Sequence, residues 1–499
     1  MPEQKIMGEN ERKNYLEKIE TVIQKGPFKD NWESLQQFEA PKWFHESKFG
    51  IFLHWGLYSV PAFNNEWYSR NMYIQGTEEF EHHVKTFGPQ KEFGYKDFIP
   101  LFKAEAFNPK EWAQIIKGAG AKYVFPVAEH HDGFQMYKSS LSHFNAYEMG
   151  PERNLLGELK EACEEEDLCF CTSSHRAEHW FFMCHGKEFD SDIKEPLERG
   201  DFYWPSMEEP NHQELTSNPY PTREYLEDWL LRTCEIIDEY RPRLLYFDWW
   251  IQHEAFKPYL KKVAAYYYNR GAEWGSKVAI CYKHDAFMFG TGIVDVERGK
   301  FAEVKPYVWQ TDTSIAKNSW CYTDTLEYKT AKDIIYNLVD IISKNGNMLL
   351  NVGPKADGSF AEEDKKILEE IGSWLKVNGE AVYGSKIFRK SGEGPTKENE
   401  GQFTDNQSMV YTAKDMRFTV KGDSIYAFVL NYPENGEVTI TSLAKSKDQN
   451  VPEFHGIIKE VSILGSEEVP EWTEDYEGLH VKTHTVHSNY PVVIRVKVA

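Results

Sequence analysis

The chain has 499 residues, with 57 Lys and Arg against 79 Asp and Glu, a formal net charge of −22, and 15% aromatic side chains. So acidic a chain repels phosphate backbones and anionic headgroups, which excludes nucleic acid and membrane surfaces as main partners. Its 41% apolar residues bury a large core rather than leaving the chain disordered, and at roughly 100–200 residues per domain the length fits two or three domains. Many aromatic rings in an acidic protein suit carbohydrate, because sugars offer flat C–H faces to rings and hydroxyls to carboxylates.

Residues 1–30 lack an apolar h-region and a small-residue cleavage site, and no run reaches the ~18 apolar residues that span a bilayer. The seven cysteines are odd in number and have no framework spacing, which fits reduced thiols. Cys169 and Cys171 read as core residues of one strand. A cytoplasmic protein is expected. The oligomeric state stays open, a homo-oligomer being compatible with the residues.

In chain order, strand-like runs occupy 49–56, 122–129, 168–174, 243–250, 277–283, 307–312 and 348–353, and helical patterns separate them. Strands alternating with helices over this length predict a (β/α)8-like barrel. No GxGxxG or GxxxxGK[ST] follows a strand, so a nucleotide site is not expected, and neither is any other cofactor. A long insertion at 185–220, rich in acids, Pro and aromatics, interrupts the pattern; as a loop above the barrel it is expected to shape the subsite beyond the first sugar. Fourteen of the fifteen Trp precede residue 380 and all Cys precede 322. After Gly384 a polar stretch leads into short alternating runs, which predict an antiparallel β-sandwich. The expected division is a catalytic barrel over 1–388 and a C-terminal β-sandwich over 389–499.

Barrel chemistry sits at the C-terminal ends of strands. The first five runs end in His54-Trp55-Gly56, Glu129-His130-His131-Asp132-Gly133-Phe134, Ser173-Ser174-His175-Arg176, Asp248-Trp249-Trp250 and Lys283-His284-Asp285. Polar strand ends in series point to one shared pocket. Asp248 stands out, since a carboxylate between Phe247 and Trp249 costs several kcal/mol to bury unless it is hydrogen-bonded or does chemistry; a helix cap is the plainer alternative. The His130-His131 pair admits a metal, but adjacent strand residues point to opposite faces, and a barrel metallohydrolase more often presents His-x-His on its first strand. Hydroxyl recognition is the better reading, and no metal is expected.

Several of these stretches together resemble a known family. Trp43-Phe44, Phe49 through Gly56, Asn65-Glu66-Trp67-Tyr68, His130 through Phe134, Phe247-Asp248, and Asn347 through Pro354 with Asp357-Gly358 are similar, in order, to the α-L-fucosidases of glycoside hydrolase family 29. The resemblance implies a retaining exo-α-L-fucosidase (EC 3.2.1.51) acting on terminal fucose of fucosylated glycans. It implies that Asp248 is the nucleophile and that its carboxyl lies roughly 5–5.5 Å from that of the acid/base. By chain order Glu297 matches the acid/base, with Asp295 and Glu303 as fallbacks. Asp295 would raise the pKa of Glu297, and Arg298 would oppose it. His54, Glu66, Trp67, His130 and His131 match positions that hold fucose hydroxyls, while Phe52, Tyr246 and Trp320 match an apolar pocket for the 6-methyl group. The chain departs from the family pattern at His175, where many members have Tyr and which is expected either to take over that substrate contact or to point elsewhere, and at Glu129, where many have Lys. Lys283 falls only loosely on a basic position of relatives. Two other readings remain: a catalytically inert fucose-binding lectin, and a zinc hydrolase using His54, His130, His131 and Asp248.

Overall fold

A computed structural model describes residues 5–499; the first four residues of the expected catalytic segment lie outside the described residues. Nine parallel strand segments build the first sheet: β1 Phe49–Leu53, β2 Tyr123–Glu129, β3 Cys169–Phe170, β4 Thr172–Ser174, β5 Leu244–Phe247, β6 Ala279–Tyr282, β7 Ile293–Val294, β8 Trp309–Ser314 and β9 Gly346–Val352. They run in the order β7-β6-β5-β4-β2-β1-β9-β8, and β3 joins β2 as the first half of the stave that β4 continues. The outer staves β7 and β8 meet through an Asp295–Gln310 bridge and the Val296 N–H on the Gln310 carbonyl at 2.9 Å, which closes an eight-stave barrel.

These strands are buried on both faces because helices cover the outside and side chains fill the inside, and even the polar β4 and β8 are buried throughout. Phe52, Tyr123, Phe125, Leu244, Tyr246 and Cys281 pack together in the interior, with Cys171 among them. Seven staves coincide with the strand-like runs of the sequence. The eighth, β7, has two residues, too few to show any periodicity. All seven cysteines are free, and among the described residues no helix is long and apolar enough to cross a membrane.

The helix Glu362–Val382 is followed by antiparallel strands. One sheet joins Lys386–Glu393, Met416–Lys421, Ser424–Val429, Val492–Val498 and Ile458–Ile463; a second joins Glu437–Ile440, Leu479–Lys482 and Glu471–Glu474. Their facing residues share one apolar core that includes Phe418, Val429, Ile440, Leu479 and Ile494, as in a sandwich. A buried ionic knot ties this region to the barrel. Asp340, on the helix Ala331–Ser343, accepts from Lys344 and Arg417, each at 2.6 Å, and Glu398 accepts from Arg417 at 2.5 Å and Lys300 at 2.6 Å. The segment around Gly401 pairs with Lys300 through reciprocal backbone bonds of 2.9 and 3.2 Å, so it lies across the mouth of the barrel.

Candidate active site

A cavity of about 520 Å³ opens at the C-terminal ends of the staves, and His54, Glu66, Trp67, His130, His131, His175, Tyr246, Asp248, Glu297 and Trp320 all line it. The sequence contributes these residues from widely spaced strand ends; barrel closure brings them onto one wall.

At the centre stands a cation that the motifs did not single out. Lys283, the residue after β6, points its ammonium at Asp248 Oδ1 (3.1 Å), Glu297 Oε2 (2.8 Å) and Asp312 Oδ2 (3.4 Å). Burial alone would discharge this lysine, but Asp248, Asp312 and Glu297 hold its pKa well above the ordinary value. Asp248 meets the opposite balance. Burial favours its neutral form, yet Lys283 and His175 outweigh that and hold the carboxyl well below the usual range, so it is ionised. Glu297 goes the other way: burial, with Asp312 and Asp248 as like charges, pushes it to about 7 against the pull of Lys283. One ammonium therefore holds two carboxyl groups of opposite protonation tendency.

The histidines are set by their partners. Asn351 donates to Ser314 Oγ at 3.1 Å and to the Trp320 carbonyl at 2.6 Å, which turns its Oδ1 toward His54; there it accepts from Nδ1 at 2.7 Å. His54 is buried and held well below its ordinary pKa, so it is neutral and keeps Nε2 as an acceptor. His175, also lowered by burial, donates Nδ1–H to Asp248 Oδ2 at 3.0 Å and accepts from Ser173 Oγ at 2.9 Å. His130 stacks on His175 at 4.7 Å, is neutral through burial, and its Nδ1 has no protein partner among the described residues. His131 differs: burial would neutralise it, but Glu178 at 3.2 Å and Asp248 at 3.4 Å raise it to about 9, so it is an imidazolium. Its Nδ1 donates to the His175 carbonyl at 2.6 Å. Glu66 is raised by burial and accepts from the Trp320 N–H at 3.1 Å.

Metal ligation is a poor use of these donors. His54, His130 and His175 converge, as do His131, His175 and Asp248. But His175, common to both groups, spends Nδ1 on Asp248 and Nε2 on Ser173, and the second group pairs a histidine raised to about 9 with a carboxylate bound to an ammonium.

Some expected residues fall elsewhere. Phe52 does not line the cavity; it is fully buried, 4.5 Å from the His54 ring and 5.2 Å from Tyr246, against which it packs. Asp295 is buried in the barrel seam, accepts from Gln310 at 2.8 Å and is pushed well up by burial and Asp312. Glu303 is exposed and outside the cavity. The charges around Glu297 are thus Lys283, Asp312 and Asp248. Arg298 instead turns away, donating to the Ser319 carbonyl at 3.3 Å and lying 4.5 Å over the Trp320 ring. No residue of the 185–220 insertion lines the cavity. It packs behind the wall, where Glu209 pairs with Arg70 at 2.6 Å and His212 sits against Trp249. Lys283, Asp312, Asn351 and Phe403 were not named as site residues; Lys283 offered two signals, its place at a strand end and its loose fall on a basic position of relatives, and Asn351 lay within a family-like stretch, while Asp312 and Phe403 offered none.

The family model "Alpha-L-fucosidase" matches residues 15–380, and "Alpha-L-fucosidase C-terminal domain" matches 406–494. The tissue α-L-fucosidase of Rattus norvegicus is 29% identical over 89% of this chain and 86% of its own, and that of Bos taurus is 30% identical over 83% and 79%. A Thermotoga maritima α-fucosidase solved in complex with fucose is 28% identical, superposes with a TM-score of 0.73, and matches 94% of this chain and 100% of its own. The chain belongs to the α-L-fucosidase family and is a glycoside hydrolase.

Proposed function

We propose that the protein is a retaining exo-α-L-fucosidase that removes terminal fucose from fucosylated glycans through a covalent fucosyl-enzyme. The observation that carries the mechanism is the shared ammonium. Two bonds of 3.1 and 2.8 Å to one Lys283 nitrogen hold an Asp248 oxygen and a Glu297 oxygen within about 6 Å. As the greatest separation this oxygen pair can have, that supports the roughly 5–5.5 Å arrangement of retaining enzymes over the roughly 6.5–9.5 Å that leaves room for a water.

In the first step ionised Asp248 attacks the anomeric carbon while Glu297 gives its proton to the departing glycosidic oxygen, so the C–O bond to the aglycone breaks as the ester bond forms. In the second, the Glu297 carboxylate takes a proton from water, whose oxygen attacks the same carbon and releases Asp248. The negative charge lost at Asp248 on esterification appears at Glu297 on deprotonation. Lys283 touches both, so its compensation is kept throughout. Neutral His54 and His130, with Glu66, offer polar atoms to the fucose hydroxyls, while His131 spends both ring nitrogens on His175, Glu178 and Asp248 and acts by orienting the nucleophile; a sugar lacking one of these hydroxyls leaves buried polar groups unpaired. Tyr246 and Trp320 supply apolar surface for the 6-methyl group, and Trp67 stands with the hydroxyl-binding residues.

The test is the anomer released first from an aryl α-L-fucoside, followed by proton NMR. Retention requires α-L-fucose before mutarotation; β-L-fucose first overturns it. A panel of oligosaccharides differing only in linkage then identifies the glycan.

A further inference from the structure

We infer that Phe403, carried by the segment that leads into the β-sandwich, is the stacking platform for the sugar ring to which fucose is attached. This rests on the fucosidase reading above and extends it to the leaving-group side of the site.

Phe403 lines the cavity, yet it is 64% exposed, whereas the residues around the fucose-sized floor are buried. Its place is fixed by the proposed general acid. The Phe403 N–H donates to the Glu297 carbonyl at 3.0 Å, and the Thr404 and Asp405 N–H groups donate to the Arg298 carbonyl at 2.8 and 3.2 Å. A general acid must reach the glycosidic oxygen, so a residue bonded to its backbone stands beside the leaving group.

The segment is no loose tail. Asp405 accepts from Lys329 at 2.5 Å and from Thr313, both buried, and Gly401 is paired with Lys300. Phe403 has φ +54°, a left-handed conformation that a bulky residue adopts at a cost. A glycine would hold that backbone more easily, so a large ring kept there, in water, at the rim of a sugar site, points to a use for the ring itself. A flat apolar face of this kind suits the C–H face of a pyranose.

The test compares wild type, Phe403→Ala and Phe403→Trp on α-L-fucosyl fluoride, whose leaving atom reaches no platform, and on fucosyl-hexose disaccharides of the four common linkages. The expected result is that Phe403→Ala loses about tenfold more kcat/KM on the best disaccharide than on the fluoride, and that Phe403→Trp restores it. Equal losses on both substrates, no loss on either, or a wild type that cleaves the fluoride but no disaccharide would each overturn the platform. A wild type that cleaves none of these fucosides, the fluoride included, sinks the fucosidase reading instead.

Discussion

Lys283 donates to the Glu297 carboxylate at 2.8 Å from a position that also touches Asp248, so one buried ammonium governs the protonation of both carboxyl groups. Glu297 is raised to about 7 and must be protonated to act, so kcat/KM should fall as pH rises through about 7. Asp248 must be ionised and lies well below its ordinary value, so the acid limb should lie far below neutrality. Lys283 pulls both groups down. Lys283→Met should therefore move both limbs to higher pH and lower kcat by roughly 10²–10³-fold. A pH profile of the variant that keeps both limbs in place contradicts this electrostatic account.

The two carboxyl roles are separable by azide. Asp248→Gly should lose at least ~10⁴-fold in aryl-fucoside hydrolysis while still binding fucose, and azide should yield the β-L-fucosyl azide. Glu297→Ala should lose roughly 10²–10⁴-fold on substrates with poor leaving groups, and azide should yield the α-L-fucosyl azide. Product configuration by NMR reads both; the reverse pairing would exchange the roles.

Asn351 does not line the cavity, yet it fixes the tautomer of His54. Asn351→Ala leaves Nδ1 without its acceptor, a loss of about 1–3 kcal/mol for a buried group. Fucose should then bind roughly 10- to 100-fold more weakly as a competitive inhibitor. Unaltered fucose inhibition in a folded Asn351→Ala protein excludes this role.

Asp340 ties the C-terminal sheets to the barrel. Burial opposes its ionised form, but Lys300, Lys344 and Arg417 outweigh it and hold the pKa well below that of an unfolded carboxylate. Its contribution is therefore present above the ordinary carboxylate pKa and lost as pH falls below it. Asp340→Ala should cost about 3–5 kcal/mol, because it strands buried cations, and urea titration at neutral pH measures this. A loss below 1 kcal/mol would mean that the cations find other partners.

Much of the fold was legible because its signals are local. Strand-length apolar runs alternating with helical patterns marked seven staves, and Asp248 stood out as a carboxylate closing an apolar strand. The eighth stave was not legible, since Ile293–Val294 pairs with β6 through barrel closure and carries no period of its own. Sequence spacing likewise could not tell Glu297 from Asp295, two residues apart. In the structure Glu297 faces the cavity, while Asp295 is turned into the seam with Gln310.

The sequence by itself determined the residue types at the strand ends and, through several ordered motifs, the family. Only the tertiary structure decided their charge states. Those depend on which buried groups face one another across the barrel: Lys283 between two carboxyls, Asn351 behind His54, Glu178 behind His131. Coulomb and desolvation energies follow distance and burial, and neither is written in the order of residues along the chain.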